Sequence, residues 1–306
     1  MRRMIAILAG ATAAALIAPL PATAHASAQA PDPLTALKKK ISSGHGVAFV
    51  DTIKMRHSGE STVLGKRDGE LQFDATGVSA SDHTTKLRFD RDDLDLLLSS
   101  LQSGTGDWTE REIEPKKTQE EEKLDRLLDG LADPERIVRV KNTAYMYGGV
   151  FGPFLPTGKP WLRIPEDSTG IAGAMGQYIN PAEPTTLKAL LANATVKRPT
   201  VYSGKITFGE LHKVSPWFRA AAGKTLHGSL AKTTLNWKLY LGADRLPKRL
   251  TTWQGTSEAS QTVDTSYSGW GSEVAIAAPP ADQVATMKEL ADGIVADIPV
   301  PLVSIK

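Results

Sequence analysis

The sequence contains no cysteine. It can therefore form no disulfide, and it offers no thiol through which a lipid could anchor the chain to a membrane. Signatures of catalysis are missing too: there is no Gly-x-Ser-x-Gly elbow, no glycine-rich phosphate loop and no His-Glu-x-x-His. The histidines are scattered, with no pair at metal-ligand spacing. We expect a non-enzymatic protein without cofactor or metal, although two of its many acids could still meet in a glycosidase-like pair.

A strong charge imbalance is also lacking. The formal net charge is only +2, and it comes from Arg2 and Arg3, because residues 1–28 contain no acid. The remaining chain holds 34 basic and 34 acidic residues. A balanced chain has no basic footprint for nucleic acid, so we expect no nucleic-acid partner.

The first residues have the order of a secretory signal. Arg2 and Arg3 are followed by an apolar stretch from Ile5 to Leu20 and then by small-residue triplets such as Ala24-His25-Ala26. A membrane anchor is the alternative interpretation, but the stretch is alanine-rich and short for a bilayer span. We predict that residues 1–28 are a cleavable signal peptide and that the protein is secreted.

Residues 29–306 are predicted to form a single α+β domain with a long antiparallel sheet. The clearest strand runs from Leu235 to Leu241, where apolar and polar residues alternate. Asp68-Gly69 predicts a hairpin between strands at 62–67 and 70–74. Phe208 is assigned to a strand face with Tyr202. Amphipathic helices are predicted to cover one face of the sheet; they lie at 94–101, 124–131, 186–194 and, capped by Asp282, 284–294.

The second half of the chain carries a series of motifs in a characteristic order. They are Tyr145-Met146-Tyr147-Gly148, Gly158-Lys159-Pro160-Trp161-Leu162, Tyr202-Ser203-Gly204-Lys205-Ile206, Trp237-Lys238-Leu239-Tyr240-Leu241, Leu246-Pro247-Lys248-Arg249-Leu250, Tyr267-Ser268-Gly269-Trp270-Gly271 and Ile276-Ala277-Ala278-Pro279-Pro280. This order resembles the LolA-like superfamily, in particular actinobacterial envelope proteins of the LppX and LprG type, from about Val138 to Leu290. The chain departs from those relatives in lacking an anchoring cysteine and in an insertion from Ser215 to Thr233.

The resemblance implies a half-barrel sheet wrapped around helices, with an apolar cavity between the two layers. It also implies a protein without enzymatic activity that binds a lipid or an acylated molecule, as carrier or sensor. The residues that we expect to line such a cavity lie on apolar faces of the predicted strands. They are Trp161, Tyr202, Ile206, Phe208, Trp237, Leu239 and Leu241.

Two alternatives remain open at this point. Alternating apolar residues commonly fill a packed core, so the same side chains could have no ligand to contact. The protein would then be an envelope interaction module without a small ligand, with a membrane or envelope protein as its partner. An exposed apolar patch would favour this second hypothesis, whereas a connected cavity would favour the first.

The signal prediction can be tested on protein secreted by its host. Signal cleavage should leave a mature N-terminus between His25 and Pro31, because the small-residue triplets lie there. Intact-mass measurement checks the position. A secreted chain that still begins at Met1 would contradict the export hypothesis.

Overall fold

The computed structural model describes residues 31–57, 59–88, 130–164, 172–223, 225–226, 228–256 and 259–293. The predicted signal peptide lies outside these ranges, as do the helices predicted at 94–101 and 124–131. Their part in covering the sheet therefore stays a prediction.

The described residues contribute twelve strands to one sheet. The strands are β1 (His45–His57), β2 (Glu60–Phe73), β3 (Val78–Leu87), β4 (Glu135–Val140), β5 (Thr143–Gly148), β6 (Trp161–Ile164), β7 (Ala194–Arg198), β8 (Val201–Thr207), β9 (Thr234–Leu241), β10 (Pro247–Gly255), β11 (Ala259–Glu273) and β12 (Val284–Ala285). Their order across the sheet is β12-β6-β5-β4-β3-β2-β1-β11-β10-β9-β8-β7. Two meanders thus meet where β1 pairs with β11, and only the short β12 runs parallel to its neighbour, β6. The predicted α+β class, with a long and mostly antiparallel sheet, is confirmed.

A few short helices accompany the sheet in the described ranges. They are α1 (Pro33–Lys38), α2 (Pro184–Ala192), α3 (Phe208–Val214), α4 (Pro216–Ala222) and α5 (Met287–Gly293), with 3-10 turns at Gly149–Phe154, Gly173–Met175, Leu230–Lys232 and Ala281–Gln283. The start of α1 follows the sequence: Asp32 accepts hydrogen bonds from the backbone N–H groups of Leu34 and Thr35. Among the helices in these ranges, none has the length and apolar character that a bilayer span requires.

The hairpin predicted at Asp68-Gly69 is wrong, because both residues lie inside β2. Gly69 pairs with Phe49 of β1 on one side and with His83 of β3 on the other. A Cβ at this position would lie 2.5 Å from the Cβ of His83 and 2.3 Å from the carbonyl oxygen of Asp82. The glycine is therefore required by the close approach of β3, and not by a turn.

Two element boundaries also differ from the prediction, and a capping box explains each. Thr207 and Glu210 cap each other reciprocally, so Phe208 begins α3 instead of continuing a strand. Thr286 and Glu289 form the same arrangement at the start of α5. The last helix therefore begins after β12, and Asp282 lies in a 3-10 turn without capping it.

The main hydrophobic cluster joins residues of α1, α2, α3 and α4 to residues of β1, β2 and β8–β11. Its largest fully buried side chain is Trp237, which is 0% exposed. Within the described residues the indole N–H of Trp237 has no hydrogen-bond partner. A second cluster lies near β4–β6 and α5, around Ile137, Met146 and Leu162.

We predict that Trp237→Ala lowers the free energy of unfolding by about 3–5 kcal/mol, because it removes buried apolar area and leaves a cavity. Trp237→Phe should cost clearly less, because it keeps most of that area and removes an N–H group without a partner. Urea denaturation of the variants and the parent protein measures both changes. Equal losses for the two variants would contradict this account of the core.

Candidate functional site

A row of polar side chains crosses the buried face of the sheet. In neighbouring strands, Thr265, Asp51, Arg67, Thr85 and Glu135 lie opposite one another in register, from β11 through β1, β2 and β3 to β4. Each of these residues is at most 1% exposed. Buried polar groups destabilise a fold unless they are hydrogen-bonded, so the row needs partners on the other side of the interior.

The centre of the row is an ion pair between Arg67 and Asp51. The Arg67 Nη2 atom lies 2.5 Å from Asp51 Oδ2, and Nε donates to the same oxygen at 2.7 Å. The guanidinium carbon also lies 5.4 Å from the ring centroids of both Phe49 and Trp217. This aromatic enclosure excludes water, which strengthens the pair but makes the loss of either partner costly.

The segment from Ala172 to Gln177 lies over this row and uses it for hydrogen bonds. Glu135 Oε1 accepts from the backbone N–H groups of Ala172 at 3.1 Å and Gly173 at 3.2 Å. Arg67 donates to the carbonyl oxygens of Gly173 at 3.3 Å and Gln177 at 3.4 Å. The sheet side chains thus satisfy the backbone of an irregular, buried segment, which could not stay inside the protein without them.

Gln177 closes this network at the β10–β11 end. Its Nε2 donates to Thr265 Oγ1 at 3.0 Å, and its Oε1 accepts from Thr252 Oγ1 at 2.9 Å. Its backbone N–H donates to Asp51 Oδ2 at 3.3 Å, and its carbonyl oxygen accepts from the indole N–H of Trp217 at 2.8 Å. Gln177 therefore ties the sheet, through its side chain, to α4, through its backbone carbonyl.

Glu183 is a second buried anchor for α4. Its Oε2 accepts from Ser215 Oγ at 2.6 Å and Thr186 Oγ1 at 2.7 Å, and its Oε1 accepts from the backbone N–H of Trp217 at 2.7 Å. Burial raises the pKa of Glu183 above its usual value, and the three hydrogen bonds act in the opposite direction. The carboxyl group thus fixes the start of α4 and accepts three hydrogen bonds.

His83 is buried beside Trp217 of α4. Its ring centroid is 5.8 Å from that of Trp217 and 6.3 Å from that of Phe49. Neither ring nitrogen has a hydrogen-bond partner within the described residues. Burial, together with the charge of Arg67, lowers the pKa of His83 well below its usual value. The imidazole is therefore neutral, and it packs against the ring of Trp217.

A cleft of about 460 Å³ opens between α4 and the adjoining part of β3 and β4. This volume lies in the range of small-molecule sites. The walls come from β3, from the end of β4 with its following turn, and from α4. They consist of Val78, Ser79, Ala80, Ser81, Arg139, Lys141, Asn142, Glu183, Pro216, Trp217, Arg219 and Ala220.

The predicted cavity-lining residues lie elsewhere. Six of the seven come together in the main hydrophobic cluster, five as buried members and Tyr202 packed against it. Trp161 lies apart in β6, half-buried, with its ring 5.3 Å from that of Tyr147. None of the seven lines the cleft. Their contact with a ligand stays a prediction.

The residues of the cleft were not identified from the sequence. Trp217 lies in the insertion from Ser215 to Thr233, and Arg139 and Lys141 belong to a segment with ordinary strand patterning. They meet only because β4 pairs with β3 and because α4 is held by Gln177 and Glu183. In the ranges that the structure describes, no group of three His, Asp or Glu residues is placed to hold a metal ion.

Comparisons with known proteins give no family for this chain. No protein-family model matches the sequence, and no curated protein matches it.

Solved structures show only weak similarity to this chain. A hypothetical protein of Chlamydia trachomatis has 8% identity and a TM-score of 0.30, covering 82% of this chain and 98% of its own. A LolA superfamily protein of Nitrosomonas europaea has 6% identity and a TM-score of 0.27, covering 77% and 90%. A DUF1329 family protein of Desulfovibrio piger has 8% identity and a TM-score of 0.21, covering 80% and 96%. These scores are too low to transfer a function to this chain.

The buried ion pair yields a prediction for stability. Arg67→Met should lower the free energy of unfolding by about 3–5 kcal/mol, because it leaves the charge of Asp51 buried without its partner. Arg249 forms an ion pair with Asp264, and the arginine side chain is 53% exposed. Arg249→Met should therefore lower the free energy of unfolding by about 1 kcal/mol or less. Chemical denaturation of both variants compares the two sites. A loss at Arg67 no larger than that at Arg249 would contradict the central place given to the buried pair.

Proposed function

We propose that the mature protein is a secreted, non-enzymatic envelope protein that binds a lipid or an acylated molecule between its sheet and its helices, as carrier or sensor. In this proposal the sheet is a half-barrel and amphipathic helices form its cover, as in the LolA-like proteins of the LppX and LprG type that the sequence resembles. The observation that carries the proposal is the cleft between β3, β4 and α4, which has the volume of a ligand site.

The lining of the cleft suits a molecule with an apolar and a polar end. Val78, Ala80, Trp217 and Ala220 offer apolar contact, and polar and charged side chains lie beside them. Burying one methylene group contributes about 0.8 kcal/mol of binding free energy. A short acyl segment therefore contributes several kcal/mol, which offsets part of the free-energy cost of association. Affinity should therefore rise with chain length until the cleft is filled.

The rigidity of the cleft wall supports binding rather than loose packing. The ring of Trp217 is held by its indole hydrogen bond to Gln177, by its backbone bond to Glu183 and by the nearby guanidinium of Arg67. A wall that is already ordered loses little conformational entropy when a ligand arrives. This part of the cleft wall therefore needs little rearrangement to bind a ligand.

An interaction module without a small ligand is the second candidate, with a membrane or envelope protein as partner. The observation in its favour is that Ile206, Phe208, Trp237, Leu239 and Leu241 fill a packed core in the described part of the chain. Those side chains then serve stability alone. The two candidates differ in whether an amphiphile binds at all.

The proposal predicts that secreted protein carries a lipid and binds fluorescent fatty acids. Organic extraction and native mass spectrometry test the first expectation, and titration with fatty acids of increasing chain length tests the second. Ser79→Trp should weaken binding several-fold, because the new ring occupies the cleft.

A matched substitution separates filling of the cleft from a general effect of an added tryptophan. Ser268→Trp places the same ring at an exposed position of β11 away from the cleft, and it should bind like the parent protein. If no lipid co-purifies and no titration saturates, the carrier proposal fails and the interaction module takes its place.

A further inference from the structure

The cleft carries an unbalanced charge, although the chain as a whole does not. Arg139, Lys141 and Arg219 line it, and they come from β4, the β4–β5 turn and α4. The one acidic residue of the lining is Glu183, which already accepts three hydrogen bonds from the protein. The lining thus carries three cationic side chains and one carboxyl group, and Arg219 also interacts electrostatically with that carboxyl group. Low-dielectric walls concentrate such a field.

The backbone at Lys141 gives a second, independent observation. Lys141 is the first of the two residues that link β4 to β5, and its φ is 55°. Glycine, asparagine and aspartate are favoured at such a position, and a lysine there costs backbone energy. A lysine thus stands at the cleft in a backbone conformation that glycine adopts at lower cost.

Arg219 is anchored through one nitrogen of its guanidinium. Its Nη1 donates to the carbonyl oxygens of His212 at 2.8 Å and Lys213 at 3.4 Å, at the end of α3. Within the described residues no hydrogen bond uses its Nε or Nη2. A guanidinium held at one edge and open at another is suited to bind an oxyanion.

We infer that the cleft recognises an amphiphile through an oxyanion head group, a phosphate or a carboxylate, bound by Lys141 and Arg219. The apolar part of the ligand lies against Val78, Ala80 and Trp217. The inference rests on the proposed function, since it names the ligand class of the same cleft. It adds that charge, and not apolar burial alone, selects the ligand.

Isothermal titration of the mature protein tests this with four probes: decyl phosphate, decanoate, an uncharged decyl glycoside and inorganic phosphate, with each amphiphile below its critical micelle concentration. An anionic amphiphile should bind about tenfold or more tighter than the uncharged one, because a hydrogen bond to a charged group is worth about 1.5–3 kcal/mol. The order of decyl phosphate and decanoate identifies the head group. Inorganic phosphate should compete only weakly, because it lacks the apolar part.

Substitutions at Lys141 separate binding from folding. Lys141→Gly removes the charge and relieves the backbone, so stability should stay equal or rise while affinity for the anionic amphiphile falls about tenfold. Lys141→Arg should retain binding. Lys248→Gln removes a lysine from exposed β10, remote from the cleft lining, and should change nothing.

The outcomes distinguish head-group recognition from the proposed binding of the acyl chain. If all three amphiphiles bind equally and Lys141→Gly has no effect, the head-group inference is wrong while the proposed acyl binding stands. If inorganic phosphate binds as tightly as decyl phosphate and depends on Lys141, oxyanion recognition stands and acyl binding fails. If no probe binds, both are wrong.

Discussion

The buried ion pair between Asp51 and Arg67 is the constraint on which the rest of the structure depends. It joins the strand at the meeting point of the two meanders to its neighbour β2, and it lies in a polar row that crosses the sheet from β11 to β4. A buried charge pair is costly unless hydrogen bonds satisfy its remaining donors and acceptors. Here the backbone of residues 172–177 supplies partners for Arg67 and for Asp51 Oδ2, whereas Asp51 Oδ1 has no partner within the described residues. The pair and this segment therefore require each other.

This constraint also places the cleft. The segment that lies over the polar row continues to Gln177, whose carbonyl oxygen accepts from the indole N–H of Trp217. It then reaches Glu183, which accepts from Ser215 and Trp217 at the start of α4. The helix is thereby fixed at a distance from β3 and β4, and the space left between them is the cleft. Packing in the interior and access for a ligand thus follow from one network of hydrogen bonds.

Much of the fold could be predicted from the sequence, because local patterns determine it. Alternation from Leu235 to Leu241 predicts β9, and the amphipathic pattern at 186–194 predicts α2. One error arose where a non-local contact gives a residue its role: Gly69 makes room for β3, although with Asp68 it has the sequence of a turn. The misplaced starts of α3 and α5 follow instead from local capping boxes. The cleft could not be predicted for the same reason. Arg139 and Trp217 are 78 positions apart in the numbering, and only sheet pairing and the Glu183 anchor bring them to one site.

The central claim is that the space between sheet and α4 holds an amphiphile. Photo-crosslinking with a diazirine-labelled fatty acid, followed by peptide mapping, locates the bound chain directly. The account predicts adducts on Val78–Ser81 and on Pro216–Ala220, the two walls of the cleft, and their loss when unlabelled fatty acid competes. Competable adducts that fall instead around Trp237 and Leu239 would contradict it, because the ligand would then lie in what the structure presents as a packed core.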